Sequence, residues 1–259
     1  MGDSLAADPG HRYNIVLTNP PFGEKSSTTI VGEEGKVSKE RDIVERDDFW
    51  ATTSNKQLNF VQHVKMLLKQ NGRAAVVVAD NVLFEDGAGE TIRRKLLHEC
   101  DVHTLLRLPT GLFYAQGVKA NVLFFDKRPG GETASTQKLW IYDLRTNKHF
   151  ILKTDPLKRE DLDNFVKCYN PANRHHRKPT WSEKHPYGRW RAYTYDELVA
   201  RDKASLDLFW LKDDSLEDSA NLPDPDIIAQ EIVDDLEAAL EQFSLIANDL
   251  GEESEEKVS

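Results

Sequence analysis

Residues 14–22 read Asn-Ile-Val-Leu-Thr-Asn-Pro-Pro-Phe, an apolar run that stops at two prolines. The short apolar and β-branched run at 14–18 predicts a buried strand. The strand is expected to end at Asn19, because the prolines that follow cannot donate hydrogen bonds to a neighbouring strand. Residues 19–22 are therefore predicted to form a stiff turn at the carboxyl end of a strand.

Strands and helices alternate after this turn. Strands are predicted at 74–79, where the apolar run indicates burial on both faces, at 102–108 and at 121–126, and helices at 55–70, stopped by Asn71-Gly72, and at 90–99. Residues 24–50 are polar and predict a long loop. Residues 140–143 and 149–152 flank a turn and predict a hairpin. This alternation predicts an α/β fold with a sheet as its centre.

The chain of 259 residues has a net charge of −10, which is distributed unevenly. Residues 196–259 carry 20 acidic and 4 basic side chains, whereas residues 1–195 carry 24 acidic and 30 basic ones. A mildly basic body is compatible with a nucleic-acid partner, but the charge distribution alone favours an ordinary solvated surface.

The end of the chain predicts a helical tail. Asp224 and Pro225 suit a helix start, and apolar residues then recur at alternating spacings of four and three, namely Ala229, Val233, Leu236, Leu240, Phe243, Ala247 and Leu250. This heptad pattern suits docking to a partner helix or packing on the same domain. We expect a catalytic region at 1–155, an irregular and helical connection at 156–223, the heptad helix at 224–250 and a disordered tail at 251–259.

Several classes of protein are not expected. No apolar run approaches the roughly 20 residues of a membrane-spanning helix, and the first residues do not resemble a secretory signal. Two distant cysteines, Cys100 and Cys168, favour a reducing cytoplasm. His175, His176 and His185 indicate a solvated basic loop, so no metal site is expected.

The turn at 19–22 offers specific chemistry at a place where α/β sheets bind ligands, beyond the carboxyl ends of strands. The Asn19 amide oxygen and a backbone carbonyl accept hydrogen bonds, and Phe22 provides a ring for stacking. Together these groups suit a planar amine. The alternative is a plain turn that ends a strand.

The Asn19-Pro20-Pro21-Phe22 turn resembles the N-P-P-F/Y signature of amino-methyltransferases that use S-adenosylmethionine. Its flanks narrow the resemblance: residues 14–23, 72–94, 105–126, 143–147 and 206–250 are similar to the modification (M) subunit of type I restriction–modification systems. The chain is thereby identified as a member of an N6-adenine DNA methyltransferase family, and the similarity extends over nearly its whole length.

This resemblance implies a mechanism. The Asn19 side chain and the Pro20 carbonyl would accept hydrogen bonds from an adenine amine, and Phe22 would stack on the base after it is flipped out of the duplex. The stretch 111–114 resembles a later family motif, which makes Phe113 a second aromatic contact; a core position explains Phe113 equally well. The implied partners are DNA, a specificity (S) subunit and a restriction (R) subunit, without a membrane.

In this family a Gly-rich loop that binds S-adenosylmethionine precedes the catalytic motif. No such loop is found here, and Asp3 is the one candidate cofactor contact. We therefore expect the C-terminal half of an M subunit, inactive alone, with a partial Rossmann-like methyltransferase sheet and a helical tail. The missing strands would leave an apolar edge that invites pairing or a homo-oligomer.

Two other functions fit parts of the sequence. The chain would serve as a non-catalytic assembly module if it only docked a specificity subunit through residues 196–250. The four-residue motif alone also suits an amino-methyltransferase that acts on RNA or on a protein glutamine. The basic and aromatic residues at 169–193 suit contacts with DNA phosphates and packing between body and tail equally well.

Overall fold

The computed structural model describes residues 4–22, 27–31, 37–41, 44–110, 112–113, 118–148, 150 and 156–212. Residues 1–212 make up one compact unit. The predicted heptad helix at 224–250 and the tail at 251–259 lie outside the described residues. No helix in the described part of the chain combines the length and apolar character needed to cross a membrane.

The elements alternate broadly as the sequence predicts. The strands are Tyr13–Thr18 (β1), Ser27–Val31 (β2), Val37–Arg41 (β3), Leu68–Ala79 (β4), Cys100–Arg107 (β5), Ala120–Lys127 (β6), Lys138–Asp143 (β7) and Trp190–Thr194 (β8). The α-helices are Lys56–Leu67 (α1), Ala88–Glu99 (α2), Asp163–Tyr169 (α3) and Tyr195–Val199 (α4).

Six strands form one mixed sheet in the order β1-β4-β6-β5-β7-β8. The pairs β1/β4 and β5/β7 are parallel, and the other neighbours are antiparallel. The carboxyl ends of β1, β4, β5 and β7 therefore meet along one edge of the sheet, which we call the carboxyl edge. This sheet confirms the predicted α/β fold.

Apolar side chains cover both faces of the sheet around β5 and β7. On one face, Leu58 of α1 and Ile92 of α2 are almost fully buried in the same cluster as Leu105 of β5. On the other face, Phe165 of α3 packs in a second cluster with Leu106 of β5. Neighbouring residues of β5 thus serve opposite cores, as the alternation of side chains along a strand requires.

The burial of the first strands is less complete than predicted. Among the described strands, β1 lies at the edge of the sheet beside β4. Its residues are exposed or half-buried, so the prediction of a buried strand is wrong. Ile15 and Leu17 are 51% and 75% exposed. In β4, Val76 and Val78 are buried but Val77 is only partly so, and burial on both faces is therefore also incomplete.

α1 ends at Leu67 rather than at Asn71-Gly72, because Leu68 already begins β4. Asn71 and Gly72 form an irregularity in the pairing of β1 with β4 instead, and Asn71 has a φ of 61°. A Cβ atom on Gly72 would lie 2.9 Å from the carbonyl oxygen of Lys69 and 3.0 Å from that of Tyr13. Glycine is therefore needed for close strand approach and not for stopping a helix.

Two pairings differ from the sequence predictions. β7 lies between β5 and β8, so no free edge remains for the hairpin strand predicted at 149–152, a stretch of which only residue 150 is described. β8 lies in the connection at 156–223 that is predicted to be irregular and helical. The predicted loop at 24–50 contains the antiparallel pair β2/β3.

Candidate active site

The Asn-Pro-Pro-Phe turn lies where the sequence predicts it, directly after β1 at the carboxyl edge. Asn19 and Pro21 are exposed, Pro20 is buried and Phe22 is half-buried. The buried Pro20 ring anchors the turn to the body, while the neighbouring Asn19 amide remains open to solvent. The turn can therefore present hydrogen-bond acceptors to a ligand without unfolding.

Phe22 and Phe113 meet although 91 positions separate them in the sequence. Their ring centroids are 5.2 Å apart and the rings are inclined by 63°, an edge-to-face contact. Phe113 comes from the segment between β5 and β6, and it is half-buried. The structure thus brings together the two aromatic residues of the predicted site, and Phe113 is not an enclosed core residue.

Gln57 connects the turn to α1. Its Nε2 donates a hydrogen bond of 2.7 Å to the carbonyl oxygen of Pro21. The helix itself starts at a firm cap, because the Asn55 Oδ1 accepts hydrogen bonds from the backbone N–H groups of Gln57 and Leu58. The sequence predicts the helix but gives no sign that Gln57 points at the turn.

A network of ion pairs continues along the carboxyl edge from β4 to β7. Arg107, at the end of β5, is fully buried and donates a 2.6 Å hydrogen bond to the Asp207 carboxylate. Its second carboxylate partner is Asp80, 3.4 Å away, which follows β4 and also accepts a 2.7 Å hydrogen bond from Asn121. A guanidinium nitrogen of Arg145 also lies 3.8 Å from the Asp207 carboxylate.

The chain returns to this edge near residue 206, a feature that sequence reasoning missed. The Leu206 N–H donates to the Leu83 carbonyl at 2.8 Å. The Leu208 carbonyl accepts hydrogen bonds of 3.5 and 3.4 Å from Arg107 and Arg145. The Arg145 guanidinium carbon lies 4.0 Å from the centroid of the Phe209 ring, and Phe209 is nevertheless 67% exposed. The signal for this contact is long-range and is not visible in local patterns.

Burial affects the charges of this network. Desolvation lowers the pKa of Arg145, and the nearby Arg107 cation adds to the effect, whereas Asp143 and Asp207 oppose it. Asp143 also accepts backbone hydrogen bonds of 2.9 and 2.8 Å from Arg145 and Thr146, which fix the chain after β7. These contacts join the chain after β7 to the end of β5 along the carboxyl edge.

The basic loop near residue 175 packs within the body. Arg177 is buried, donates from Nε to the Tyr169 carbonyl at 2.8 Å, and lies 4.6 Å from the centre of the Tyr169 ring. Arg174 pairs with Asp126 at 2.6 Å. These two arginines thus hold the loop on β5 and β6, which neither sequence interpretation of this segment predicts.

Asp3, the candidate cofactor contact, lies outside the described residues.

Apolar side chains of β1 are open to solvent next to the turn. The side chains of Tyr13, Ile15 and Leu17 are 49%, 51% and 75% exposed. Beside the turn, this strand therefore presents exposed apolar side chains, and among the described strands it lies at the edge of the sheet.

Comparison with known proteins gives consistent matches. A family model described as N-6 DNA Methylase matches residues 1–201. The chain is 38% identical to the type I restriction enzyme EcoKI methylase subunit of Escherichia coli (strain K12), over 98% of this chain and 50% of that protein. It is also 38% identical to the type I restriction enzyme StySJI methylase subunit of Salmonella typhimurium, over 97% and 50% respectively.

Among solved structures, the crystal structure of the EcoKI M protein matches with a TM-score of 0.64 and 37% sequence identity. The match covers 96% of this chain and 53% of that one. The chain thus spans about half the length of the curated relatives it matches.

Proposed function

Because the chain belongs to the N-6 DNA methylase family, we propose that it carries the adenine-binding half of a type I methylase subunit that methylates adenine N6 in DNA. The membership itself confirms the predicted resemblance, and the likeness to the EcoKI M protein confirms the predicted methyltransferase fold. The observation that carries the proposal is the meeting of Phe22 and Phe113 next to the exposed Asn19 at the carboxyl edge.

The turn would act on the amine of the target base. The Asn19 Oδ1 and the Pro20 carbonyl oxygen would each accept one of the two N6 hydrogens. This pairing draws the nitrogen lone pair out of the ring and aims it away from the base plane. The rate would come from positioning and from preorganised dipoles, without a covalent bond to the protein.

The two aromatic rings would hold the base itself. Adenine N6 is inaccessible in a stacked duplex, so the base must leave the helix before it reaches Asn19. Phe22 would stack on the flipped ring, and Phe113 would fix the Phe22 ring from its edge or make a second contact with the base. The 5.2 Å separation of the rings supports a shared role.

The methyl donor proposed is S-adenosylmethionine, which supplies an electrophilic methyl group when bound. The described residues offer acceptors and rings for adenine, whereas Asp3, the one candidate cofactor contact, lies outside them. We infer that a further part of the methyltransferase sheet pairs with the open edge of β1 and brings the cofactor pocket. The exposed Ile15 and Leu17 support this inference.

The partners proposed are DNA, a specificity subunit and a restriction subunit, since the relatives are methylase subunits of type I restriction enzymes. Docking of a specificity subunit is assigned to the predicted helix at 224–250. Self-association through the open edge of β1 is the alternative use of that edge. We also propose the boundaries predicted from the sequence: a catalytic region that ends at residue 155, a connection that ends at residue 223 and a helix that ends at residue 250.

The test is methyl transfer to adenine in DNA. The chain is assayed alone and in complex with a specificity polypeptide and the part of a methylase subunit that this chain does not span, with radiolabelled S-adenosylmethionine and nucleoside analysis of the product. We expect N6-methyladenine from the complex and none after Asn19→Ala, with DNA affinity retained within threefold. Methylation that survives Asn19→Ala, or a product on RNA or protein, would refute the proposal.

A further inference from the structure

Gln57 has an unusual environment for an amide side chain. It is only 4% exposed, and its Nε2 donates to the Pro21 carbonyl at 2.7 Å. A carbonyl oxygen only accepts hydrogen bonds, so the amide nitrogen must face Pro21, which fixes the orientation of the whole amide. The opposite end, Oε1, has no hydrogen-bond partner among the described residues.

The amide is held on a rigid frame. Asn55 caps the start of α1 through two hydrogen bonds, and its own Nδ2 donates to Glu85 at 2.6 Å. Leu58, the residue after Gln57, is fully buried in the core. The position of Gln57 is therefore set by the helix and the core and not by its hydrogen bond to the turn.

The turn has few other constraints on its direction. The rings of Pro20 and Pro21 fix their φ angles, which leaves the ψ angles to decide where the carbonyl groups and Phe22 point. The Gln57 hydrogen bond fixes ψ of Pro21. It thereby sets the path from the turn into Phe22, whose ring meets Phe113.

We propose that Gln57 is a positioning residue for adenine methylation: it locks the Pro21 carbonyl so that the Phe22 ring is held ready for the flipped base. The inference rests on the proposed function and adds to it a residue that does not itself touch the reacting atoms. The hydrogen bond from Gln57 would explain how the turn at residues 19–22 keeps its geometry, which the four residues of the motif do not explain by themselves.

The unpartnered Oε1 argues against a purely structural role. A buried acceptor without a partner destabilises the folded state. A methionine of similar length would pack in the same space without that cost. The amide is therefore explained better by what its donor end holds than by stability.

The test uses Gln57→Met in the same complex as the Asn19 assay. We expect a thermal midpoint equal to or above that of the wild type, KM for DNA within threefold, and kcat lower by roughly tenfold to a hundredfold, the loss typical of small misplacements at a reacting centre. Loss of a side chain with a purely structural role would not lower kcat while the thermal midpoint is maintained.

Gln57→Glu gives a second readout that depends on pH. An ionised carboxylate has no donor for the Pro21 carbonyl, whereas a protonated one regains an O–H donor. Burial raises the pKa of the introduced carboxyl. We therefore expect the activity of this variant, relative to wild type, to rise as the pH falls from 8 to 6, while the relative activity of Gln57→Met stays level.

Gln62→Met is the matched control. Gln62 is a second buried glutamine on α1, but its amide bonds the backbone N–H and carbonyl of Ala51, each at 3.0 Å. This variant should lose stability and keep kcat within threefold. The proposal is overturned if Gln57→Met keeps kcat within threefold while Asn19→Ala abolishes methylation, or if it loses stability as Gln62→Met does. Methylation that survives Asn19→Ala would instead remove the proposed function.

Discussion

Asp207→Ala is expected to destabilise the protein far more than the loss of an ordinary surface charge. Asp207 is the nearest carboxylate, at 2.6 Å, to the fully buried guanidinium of Arg107. Removal of one partner from a buried ion pair typically costs about 3–5 kcal/mol because the other charge remains buried. Asp80 stays within 3.4 Å of Arg107 and compensates in part. We therefore expect a loss of about 2–3 kcal/mol in the free energy of unfolding.

The change is measured by urea unfolding followed by tryptophan fluorescence, and by the thermal midpoint. For a chain of this size the loss corresponds to a decrease of about 5–10 °C. Asp207→Asn keeps an acceptor oxygen for Arg107 and should fall between the wild type and Asp207→Ala. The variants share the same backbone, so the comparison isolates the charge.

Glu90→Ala serves as the exposed counterpart. Glu90 accepts a 2.8 Å hydrogen bond from Arg94 one helical turn later, but the two side chains are 33% and 42% exposed. Pairs of this kind contribute about 0.3–0.5 kcal/mol. If Asp207→Ala costs no more than Glu90→Ala, the reasoning that burial of Arg107 makes Asp207 important is refuted.

Two further predictions concern stability. Gly188→Ala should lower the thermal midpoint strongly, because the added Cβ atom would lie 2.2 Å from the Thr180 carbonyl. Gly130→Ala should leave the midpoint unchanged, because the space around Gly130 is open. Equal midpoints for the two variants would contradict this reasoning. Burial lowers the pKa of His63 and His103 below 6.5, so the unfolded chain binds more protons near pH 6 and stability should fall as the pH drops from 7 to 5.5. Replacement of His103 with glutamine should flatten that decrease in urea titrations; an unchanged slope would exclude His103 as its source.

The sequence predicts those parts of the fold that depend on local composition. The run at 74–79 and the run at 121–126 are strands in the structure because continuous apolar residues suit the interior of a sheet. The turn at 19–22 lies at the carboxyl end of β1, since prolines end a strand wherever it is placed. The two aromatic residues of the site were also identified from the sequence, by resemblance.

The rest depends on neighbours that are distant in the sequence. Burial of β1 depends on what packs over its side chains, and composition alone does not reveal that Ile15 and Leu17 are exposed. Arg107 and Asp207 are 100 positions apart, and the return of the chain to the carboxyl edge has no local signature. Gln57 reads as one more polar residue at the start of a helix, and its burial follows only from the packing of α1 beside the turn.

In the proposed reaction, the adenine that accepts the methyl group and the S-adenosylmethionine that donates it would be held by different parts of the fold. Every contact that would hold the adenine is made within residues 19–113: the turn, its brace from Gln57 and the edge-to-face aromatic pair. These contacts do not involve the edge of β1, to which the cofactor-binding part of the sheet is proposed to pair. An adenine site built in this way would hold the base before S-adenosylmethionine binds, and methyl transfer would then depend on the arrival of the cofactor. The ion pairs that link Asp80, Arg107 and Asp207 would hold the neighbouring strand ends in place during that step.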